Sequence, residues 1–277
     1  MQHRIGLVGC GGIAGSWIKA VDLQEDCRIE LTYDLSLEAA KARAAEVGVE
    51  AVADLDEIWR RDEIDLVIIG TPTSSHPDLV AQAAQAGKHI MCEKPLGLDA
   101  AQVRAMYHSA RDAKVVHMTA FTYRFAPSMR YIRHLATSGA LGELRHFRSQ
   151  RFLDWPETSW GWRQYRDKAG AGDLYDMTIH RIDFAADLMG RIERVSGAVR
   201  QFAPRDRTPQ GDACPPSDVD DWSAILGEFA GGGVGVWEGT TLAKGYELNG
   251  FGHEWAEING SEQSAVYQWH LPNQLLL

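Results

Sequence analysis

Over the first part of the chain, short apolar runs alternate with segments whose apolar residues recur at helical spacing. The apolar runs predict buried strands at residues 4–8, 28–33, 65–70, 89–92 and 115–119. The segments between them predict helices at residues 15–23, 37–47, 56–61, 77–86 and 100–113. Strands and helices that alternate in this way form right-handed βαβ units around a parallel sheet. We therefore predict a doubly wound α/β domain over residues 1–122.

The pattern then changes to one long helix followed by strands and turns. Residues 173–189 predict a helix with an apolar stripe at Tyr175, Ile179, Ile182, Ala186 and Met189. Strands are predicted at residues 192–202, 222–229, 234–241 and 254–258, and the glycine turn 231–233 predicts a hairpin. The acidic, proline-containing segment 203–221 predicts a surface loop. Residues 123–277 should therefore form an α+β domain with an antiparallel sheet.

Composition is that of an ordinary globular protein. The 277 residues are 45% hydrophobic and 24% charged, which excludes a mainly disordered chain. A formal net charge of −10 disfavours nucleic acid or an anionic membrane as the main partner. Cys10, Cys27, Cys92 and Cys214 lie far apart, which fits a reducing compartment. No stretch has the apolar length of a signal peptide or a spanning helix, so we expect a cytoplasmic protein.

A glycine-rich turn joins the first predicted strand to the first predicted helix. Residues 9–14, G-C-G-G-I-A, match the G-x-G-x-x-G/A pattern of dinucleotide-binding turns. Gly9 permits the tight turn, and Gly11 leaves room for a pyrophosphate. The pyrophosphate is expected over Gly11, Gly12 and Ile13, where a helix N-terminus favours phosphate. The alternative is a tight turn that binds nothing.

Asp34 supports the dinucleotide interpretation. It follows the second predicted strand, 23 residues after Gly11, close to the spacing of about 20 expected for a residue that binds ribose hydroxyls. A carboxylate at this position would also repel a 2′-phosphate, and Leu35 and Ser36 supply no arginine to reverse that preference. The sequence therefore favours NAD over NADP. A helix-capping aspartate is the alternative.

Polar clusters follow two further predicted strands, at the end where doubly wound sheets bind ligands. Thr71 and His76 lie in the first cluster, and Glu93 and Lys94 precede Pro95 in the second. A lysine that a proline holds out of helical geometry suits proton relay, although a solvated Glu–Lys loop pair is the alternative.

The predicted helix 173–189 carries a third candidate group. Asp176 and His180 are four residues apart and should share one helix face, which Asp183 and Asp187 continue. An imidazole beside a carboxylate suits general acid–base catalysis, and a buried histidine with satisfied hydrogen bonds is the alternative. We expect no metal site, because this pair supplies at most two ligands.

Together these motifs resemble the glucose–fructose oxidoreductase, inositol dehydrogenase and rhizopine catabolism protein (Gfo/Idh/MocA) family. The resemblance covers residues 4–267 and includes Tyr123-Arg124-Phe125, Trp162-Arg163 and Gly170-Ala171-Gly172. It implies an N-terminal Rossmann domain and a C-terminal α+β domain with a large, open, mainly antiparallel sheet. It also implies a homo-oligomer, a dimer or tetramer, formed through that sheet.

The same resemblance implies an NAD-dependent oxidoreductase that moves a hydride between nicotinamide and a carbinol or keto carbon of a sugar, cyclitol or related polyol. Its acid–base pair matches Lys94 and His180, with Asp176 beside the histidine. Its cofactor positions match Gly9, Gly11, Gly12, Ile13, Asp34, Thr71, His76, Glu93, Lys94, Trp162 and Arg163. Its substrate positions match Tyr123, Arg124, Arg163, Asp176 and His180.

Two departures from the family pattern stand out. Thr122 occupies a position where many members carry asparagine, and the chain stops at Leu277, earlier than most members do. A naturally short member and a truncated one both fit that length. Two other functions also fit the sequence, namely a dinucleotide-binding sensor without turnover and an oxidoreductase for an amine, an imine or a tetrapyrrole.

Overall fold

Six parallel strands form the sheet of the first unit within the described part of the chain, residues 2–246 and 252–277 of a computed structural model. The strands are β1 (His3–Val8), β2 (Cys27–Tyr33), β3 (Glu50–Ala51), β4 (Leu66–Ile69), β5 (His89–Cys92) and β6 (His117–Thr119). Their order is β3-β2-β1-β4-β5-β6, so the direction of winding reverses between β1 and β4. This arrangement confirms the predicted doubly wound fold and places a ligand crevice at that reversal.

Helices connect the strands of this unit, which spans Met1–Ala120. They are α1 (Ala14–Asp22), α2 (Leu37–Val47), α3 (Asp56–Arg60), α4 (His76–Gln85) and α5 (Ala100–Asp112). Successive strand residues point to opposite faces, so Val8 and Ile69 join one apolar cluster while Leu7 and Ile68 join another. Burial on both faces explains why these strands appear in the sequence as continuous apolar runs.

Seven strands of the described residues form the sheet of the second unit, Phe121–Leu277. They are β7 (Leu144–Phe152), β8 (Ile192–Arg200), β9 (Trp222–Phe229), β10 (Val234–Thr240), β11 (His253–Gly260), β12 (Ser264–Gln268) and β13 (Leu275–Leu276). Their order is β13-β12-β11-β7-β10-β9-β8, with β7 and β10 parallel and the other neighbours antiparallel. The mainly antiparallel sheet and the β9–β10 hairpin confirm the prediction, whereas β7, β12 and β13 were not predicted.

One face of this sheet is covered and the other is open. The helices are α6 (Pro127–Thr137), α7 (Arg166–Ala169) and α8 (Ile179–Met189). Phe184 of α8 packs with Phe147 and Trp237 of the sheet in one buried cluster. On the other face Leu226 of β9 and Val236 of β10, which are paired in the register, are 48% and 47% exposed. No helix in the described residues is long and apolar enough to cross a membrane.

One prediction for this unit was wrong in detail. The predicted helix 173–189 begins as a π-helical turn, Leu174–Thr178, and the residues of its predicted apolar stripe are only partly buried. His180, Arg181, Phe184 and Ala185 are buried instead. The predicted surface loop 203–221 is irregular and mostly exposed, and it is anchored at its end by the buried Asp221 carboxylate, which accepts the amides of Phe202 and Ala203.

Candidate functional site

Close packing of neighbouring backbone atoms requires a glycine at position 9. Its φ is 95°, in the left-handed region that side chains rarely adopt. An added Cβ would lie 2.7 Å from the carbonyl carbon of Gly70 and 2.8 Å from the amide nitrogen of Thr71. The turn after β1 is therefore pressed against the loop after β4.

Gly11 is different, because at this position an added Cβ would meet no described atom within 4 Å. The same holds at Gly12, and both residues are exposed. Ile13 follows as the N-cap residue of α1, so the N-terminus of the helix, with its partial positive charge, begins at this point. The open space over Gly11 and the helix N-terminus together fit a bound pyrophosphate.

Asp34 lies beside the glycine turn and is bonded to it. Its Oδ2 accepts the amide of Cys10 at 2.8 Å, and its Oδ1 accepts the amide of Ser36 at 2.9 Å. A carboxylate oxygen accepts more than one hydrogen bond, so both oxygens retain capacity for ribose hydroxyls. The carboxylate that the sequence predicts for the adenosine ribose is thus next to the predicted pyrophosphate site.

Arg43 is a residue that the sequence reasoning missed at this turn. From α2 its Nη2 donates to the carbonyl of Gly11 at 3.1 Å and its Nε donates to that of Cys10 at 3.4 Å, while Glu46 holds Nη1 at 2.7 Å. These bonds hold the turn carbonyls towards α2. Arg43 comes three residues after the buried Ala40, and this spacing could have predicted that it lies near the buried face of α2.

The loops after β4 and β5 are joined by the His76 side chain, which is 1% exposed. Its Nδ1 lies 3.0 Å from the carbonyl oxygen of Pro95, and its Nε2 lies 3.0 Å from that of Thr71. Burial lowers the pKa of the imidazole, so at neutral pH the ring is neutral and donates its single N–H to one of these two carbonyls while it contacts the other. His76 therefore holds the loops that carry Thr71 and Lys94.

Glu93 and Lys94 stand at the carboxyl end of β5. Glu93 Oε1 accepts the indole N–H of Trp17 at 2.9 Å, and its Oε2 accepts the amide of Lys94 at 3.2 Å. Lys94 is half-buried, and the Lys94–Pro95 peptide bond is cis. Since β5 is parallel to β4 and β1, these residues share the sheet edge that bears the glycine turn.

In the second unit Trp162, Arg163 and Asp176 come together. The Arg163 guanidinium carbon lies 4.5 Å from the centre of the Trp162 ring, and its Nε lies 3.6 Å from Asp176 Oδ2. A flat aromatic surface beside a cation and a carboxylate is suited to a polyhydroxylated ring, which has both apolar faces and hydroxyl groups.

His180 lies at the start of α8 in an aromatic environment. The Tyr123 ring stacks on it at a centroid distance of 4.6 Å and an angle of 16°, and Phe121 meets it edge-on at 6.1 Å. Sequence reasoning placed Tyr123 as a substrate residue but did not foresee this stack. Arg124, by contrast, points to α8, where Asp183 holds it at 2.6 Å and Asp187 at 3.0 Å.

The predicted residues therefore form local groups on each unit. The first unit brings together the glycine turn and Asp34, and it joins the loops of Thr71 and Lys94. The second unit brings Trp162 and Arg163 to Asp176, and Tyr123 to His180. Among residues 2–246 and 252–277, no group of three or more His, Cys, Asp or Glu side chains could hold a metal ion.

Comparison with known proteins gives matches over both units. Residues 3–121 match the family described as "Oxidoreductase family, NAD-binding Rossmann fold", and residues 129–266 match "GFO/IDH/MocA C-terminal domain". The first matched segment contains Gly9, Asp34 and Lys94, and the second contains Asp176 and His180.

The chain is also similar to characterised proteins. It is 34% identical over 273 residues to inositol 2-dehydrogenase of Rhizobium meliloti, covering 98% of this chain and 77% of that enzyme. It is 32% identical over 261 residues to levoglucosan dehydrogenase of Pseudarthrobacter phenanthrenivorans, covering 89% of this chain and 65% of that enzyme. A solved levoglucosan dehydrogenase in complex with NADH and levoglucosan superposes with a TM-score of 0.88 at 30% identity, over 99% of this chain and 75% of that one.

Proposed function

Because the chain belongs to the GFO/IDH/MocA oxidoreductase family, we propose that it is an NAD-dependent dehydrogenase of a sugar, cyclitol or related polyol. The observation that carries this proposal is the contrast between two glycines of one turn. Gly9 is required by the packing of the protein, whereas the space over Gly11 is open and lies beside the Asp34 carboxylate.

Residues of the first unit would hold the cofactor. The pyrophosphate would lie over Gly11, Gly12 and Ile13, and the adenosine ribose would bond to Asp34. Thr71 and Glu93 would line its nicotinamide half, with His76 acting through the loops that it bridges. NAD, when bound, would accept the hydride that leaves the carbinol carbon of the substrate.

Lys94 and His180 would handle the proton that accompanies this hydride transfer. One of them takes the proton from the substrate hydroxyl as the carbon–oxygen double bond forms. The positively charged Lys94 side chain would stabilise the negative charge that develops on the oxygen as the proton leaves and before the hydride has been transferred. Asp176, Arg163 and Trp162 would contact the remaining hydroxyl groups and a face of the substrate.

The first experiment pairs a binding measurement with an activity screen. Calorimetry should detect NAD binding, and NAD with levoglucosan, myo-inositol or an aldose should yield NADH, which is followed by its absorbance. Binding of NAD without oxidation of any polyol in the panel would contradict the dehydrogenase proposal. The absence of binding to either nicotinamide dinucleotide would contradict the cofactor assignment as well.

Asp34→Asn should raise the NAD dissociation constant by about tenfold or more, because the ribose loses a charged hydrogen-bond acceptor. It should also reduce the preference for NAD over NADP, because the variant no longer repels a 2′-phosphate. Calorimetry with both dinucleotides measures the ratio of the two dissociation constants. Asp62→Asn, on the exposed surface of the same unit, is the matched control. An unchanged ratio in Asp34→Asn would show that this carboxylate does not select the cofactor.

We further propose that the open face of the second sheet joins copies of the chain. Leu226, Val234 and Val236 are exposed on this face, and Leu226 is paired with Val236 in the strand register. Leu226→Lys with Val236→Lys should shift sedimentation velocity profiles towards the monomer, because charges in an apolar interface are costly. Profiles identical to those of the wild-type chain would contradict this surface as the interface.

A further inference from the structure

A buried group of charges lies next to the His180 ring. We call it the Glu254 cluster, and its members are Tyr123, Arg151, Arg181 and Glu254. Glu254 of β11 is 1% exposed and stands opposite Arg151 of β7 in the strand register. Its Oε2 accepts a hydrogen bond from Arg151 Nη1 and lies 3.9 Å from Nη1 of the fully buried Arg181. Such a cluster is costly to desolvate, so its hydrogen bonds strongly constrain the groups that make them.

The Tyr123 hydroxyl is fully engaged as a donor in this cluster. It donates to Glu254 Oε2 at 3.1 Å and accepts from Arg151 Nη1 at 2.7 Å. A phenol has a single proton to donate, so this hydroxyl has none left for a substrate hydroxyl. Burial raises the pKa of Tyr123, so at neutral pH the side chain is a neutral phenol.

The ring of Tyr123 makes aromatic stacking contacts that are separate from the hydrogen bonds of its hydroxyl. It stacks almost parallel on His180 at 4.6 Å and also on Trp269 at 5.6 Å and 24°. The Arg151 guanidinium lies over the Trp269 ring at 5.9 Å. The cluster therefore fixes the Tyr123 ring plane from its hydroxyl end, and the ring in turn fixes the plane of the imidazole.

We propose that Tyr123 is a positioning residue for His180, that Arg151 and Glu254 hold it in place, and that it does not contact the substrate as the sequence predicted. The inference rests on the proposed role of His180 in proton transfer. A general acid or base must lie within hydrogen-bond reach of the reacting hydroxyl, and a small misorientation costs rate. A residue that acts in this way should affect kcat more than KM.

The kinetic test compares three variants. Tyr123→Leu removes the stacking ring and should lower kcat by about tenfold or more, a part of the roughly 10²- to 10⁴-fold contribution of a positioned acid–base group. The KM for the polyol that the wild-type chain oxidises fastest should stay within about twofold. Tyr123→Phe keeps the ring but loses its hydroxyl bonds to Arg151 and Glu254, so it should restore only part of the lost kcat. Tyr131→Leu is the control, because Tyr131 is an exposed tyrosine of the same unit that stacks on His134.

Glu254→Gln extends the kinetic test to the cluster itself. It should lower kcat below the wild-type value with the NAD dissociation constant unchanged. If this variant does not fold, Tyr123→Phe, which removes the hydrogen bond between Tyr123 and Glu254, tests the same loss relative to the wild-type chain. A raised KM with unchanged kcat in Tyr123→Leu would overturn the proposal, because that result is expected of a substrate contact.

A second measurement needs no substrate. The ring-proton NMR signals of His180, assigned by their loss in His180→Gln, should move in Tyr123→Leu and stay near the wild-type position in Tyr123→Phe. Signals that do not move in Tyr123→Leu would overturn the stack and the proposal with it. Failure of the proposed function is distinguishable, since it would appear as absent NAD binding or as full turnover in His180→Ala while these signals still moved.

Discussion

Turnover should fall at least about 10²-fold when Lys94 is replaced by Met or His180 by Ala, since a positioned acid–base group contributes roughly 10² to 10⁴. Lys94 lies at the carboxyl end of β5, where Glu93 and the His76 bridge hold its loop. His180 is held by the stacked Tyr123 ring. In both variants the glycine turn and Asp34 are unchanged, so NAD should still bind with nearly wild-type affinity. Steady-state kinetics and calorimetry measure the two effects separately.

Lys41→Met on the exposed side of α2 and His134→Ala on the exposed side of α6 are the matched controls. Both should retain wild-type turnover, because neither residue belongs to the proposed site. Full turnover in Lys94→Met and His180→Ala would reject the acid–base assignment while leaving the cofactor assignment intact. A loss of NAD binding in His180→Ala would instead indicate damage to the fold.

The first unit could be predicted closely from the sequence. The run predicted at residues 89–92 coincides with β5, and the strand predicted at 28–33 differs from β2 by one residue. Strands buried on both faces need apolar residues at nearly every position, so their pattern is local and strong. The turns between them carry glycine for a reason that is equally local, as Gly9 illustrates with its φ of 95°.

The second unit was harder to predict because its pattern mixes charge with burial. Arg181 and Glu254 are buried almost completely, although both residue types normally mark a surface. Helix α6 was missed even though Met129, Ile132 and Leu135 recur at helical spacing and are buried. The charged residues between them make this narrow apolar stripe hard to recognise in the sequence.

The residues of the candidate site differ in the same way in how far the sequence predicts them. Asp34 and the glycine turn could be recognised because their spacing along the chain reflects a local βαβ unit. The contact of Arg151 with Glu254 joins residues 103 positions apart and depends on the register of β7 with β11. Sequence patterns do not encode such a register when both strands contain polar residues on a covered face. The stack of Tyr123 on His180 depends on that contact and was missed for the same reason.

Substitution of two glycines in one turn should separate stability from affinity. Gly9→Ala should destabilise the chain by about 2 kcal/mol or more, since it combines a left-handed φ with contacts of a Cβ to backbone atoms. In the structure those contacts would be 2.7 Å to the carbonyl carbon of Gly70 and 2.8 Å to the amide nitrogen of Thr71. Its urea midpoint should fall, and NAD affinity should fall with the distorted turn. Equilibrium unfolding and calorimetry measure both quantities.

Gly11→Ala should have the opposite profile. Its Cβ meets no described atom within 4 Å, so the urea midpoint should match that of the wild-type chain. The same Cβ would occupy the proposed pyrophosphate space, and the NAD dissociation constant should rise by about tenfold or more, equivalent to at least about 1.4 kcal/mol. Gly231→Ala is the control, because Gly231 is similarly uncrowded but lies in the β9–β10 turn. Unchanged NAD affinity in Gly11→Ala would mean that the open space is not a cofactor site, since packing within the chain gives no reason for glycine at this position.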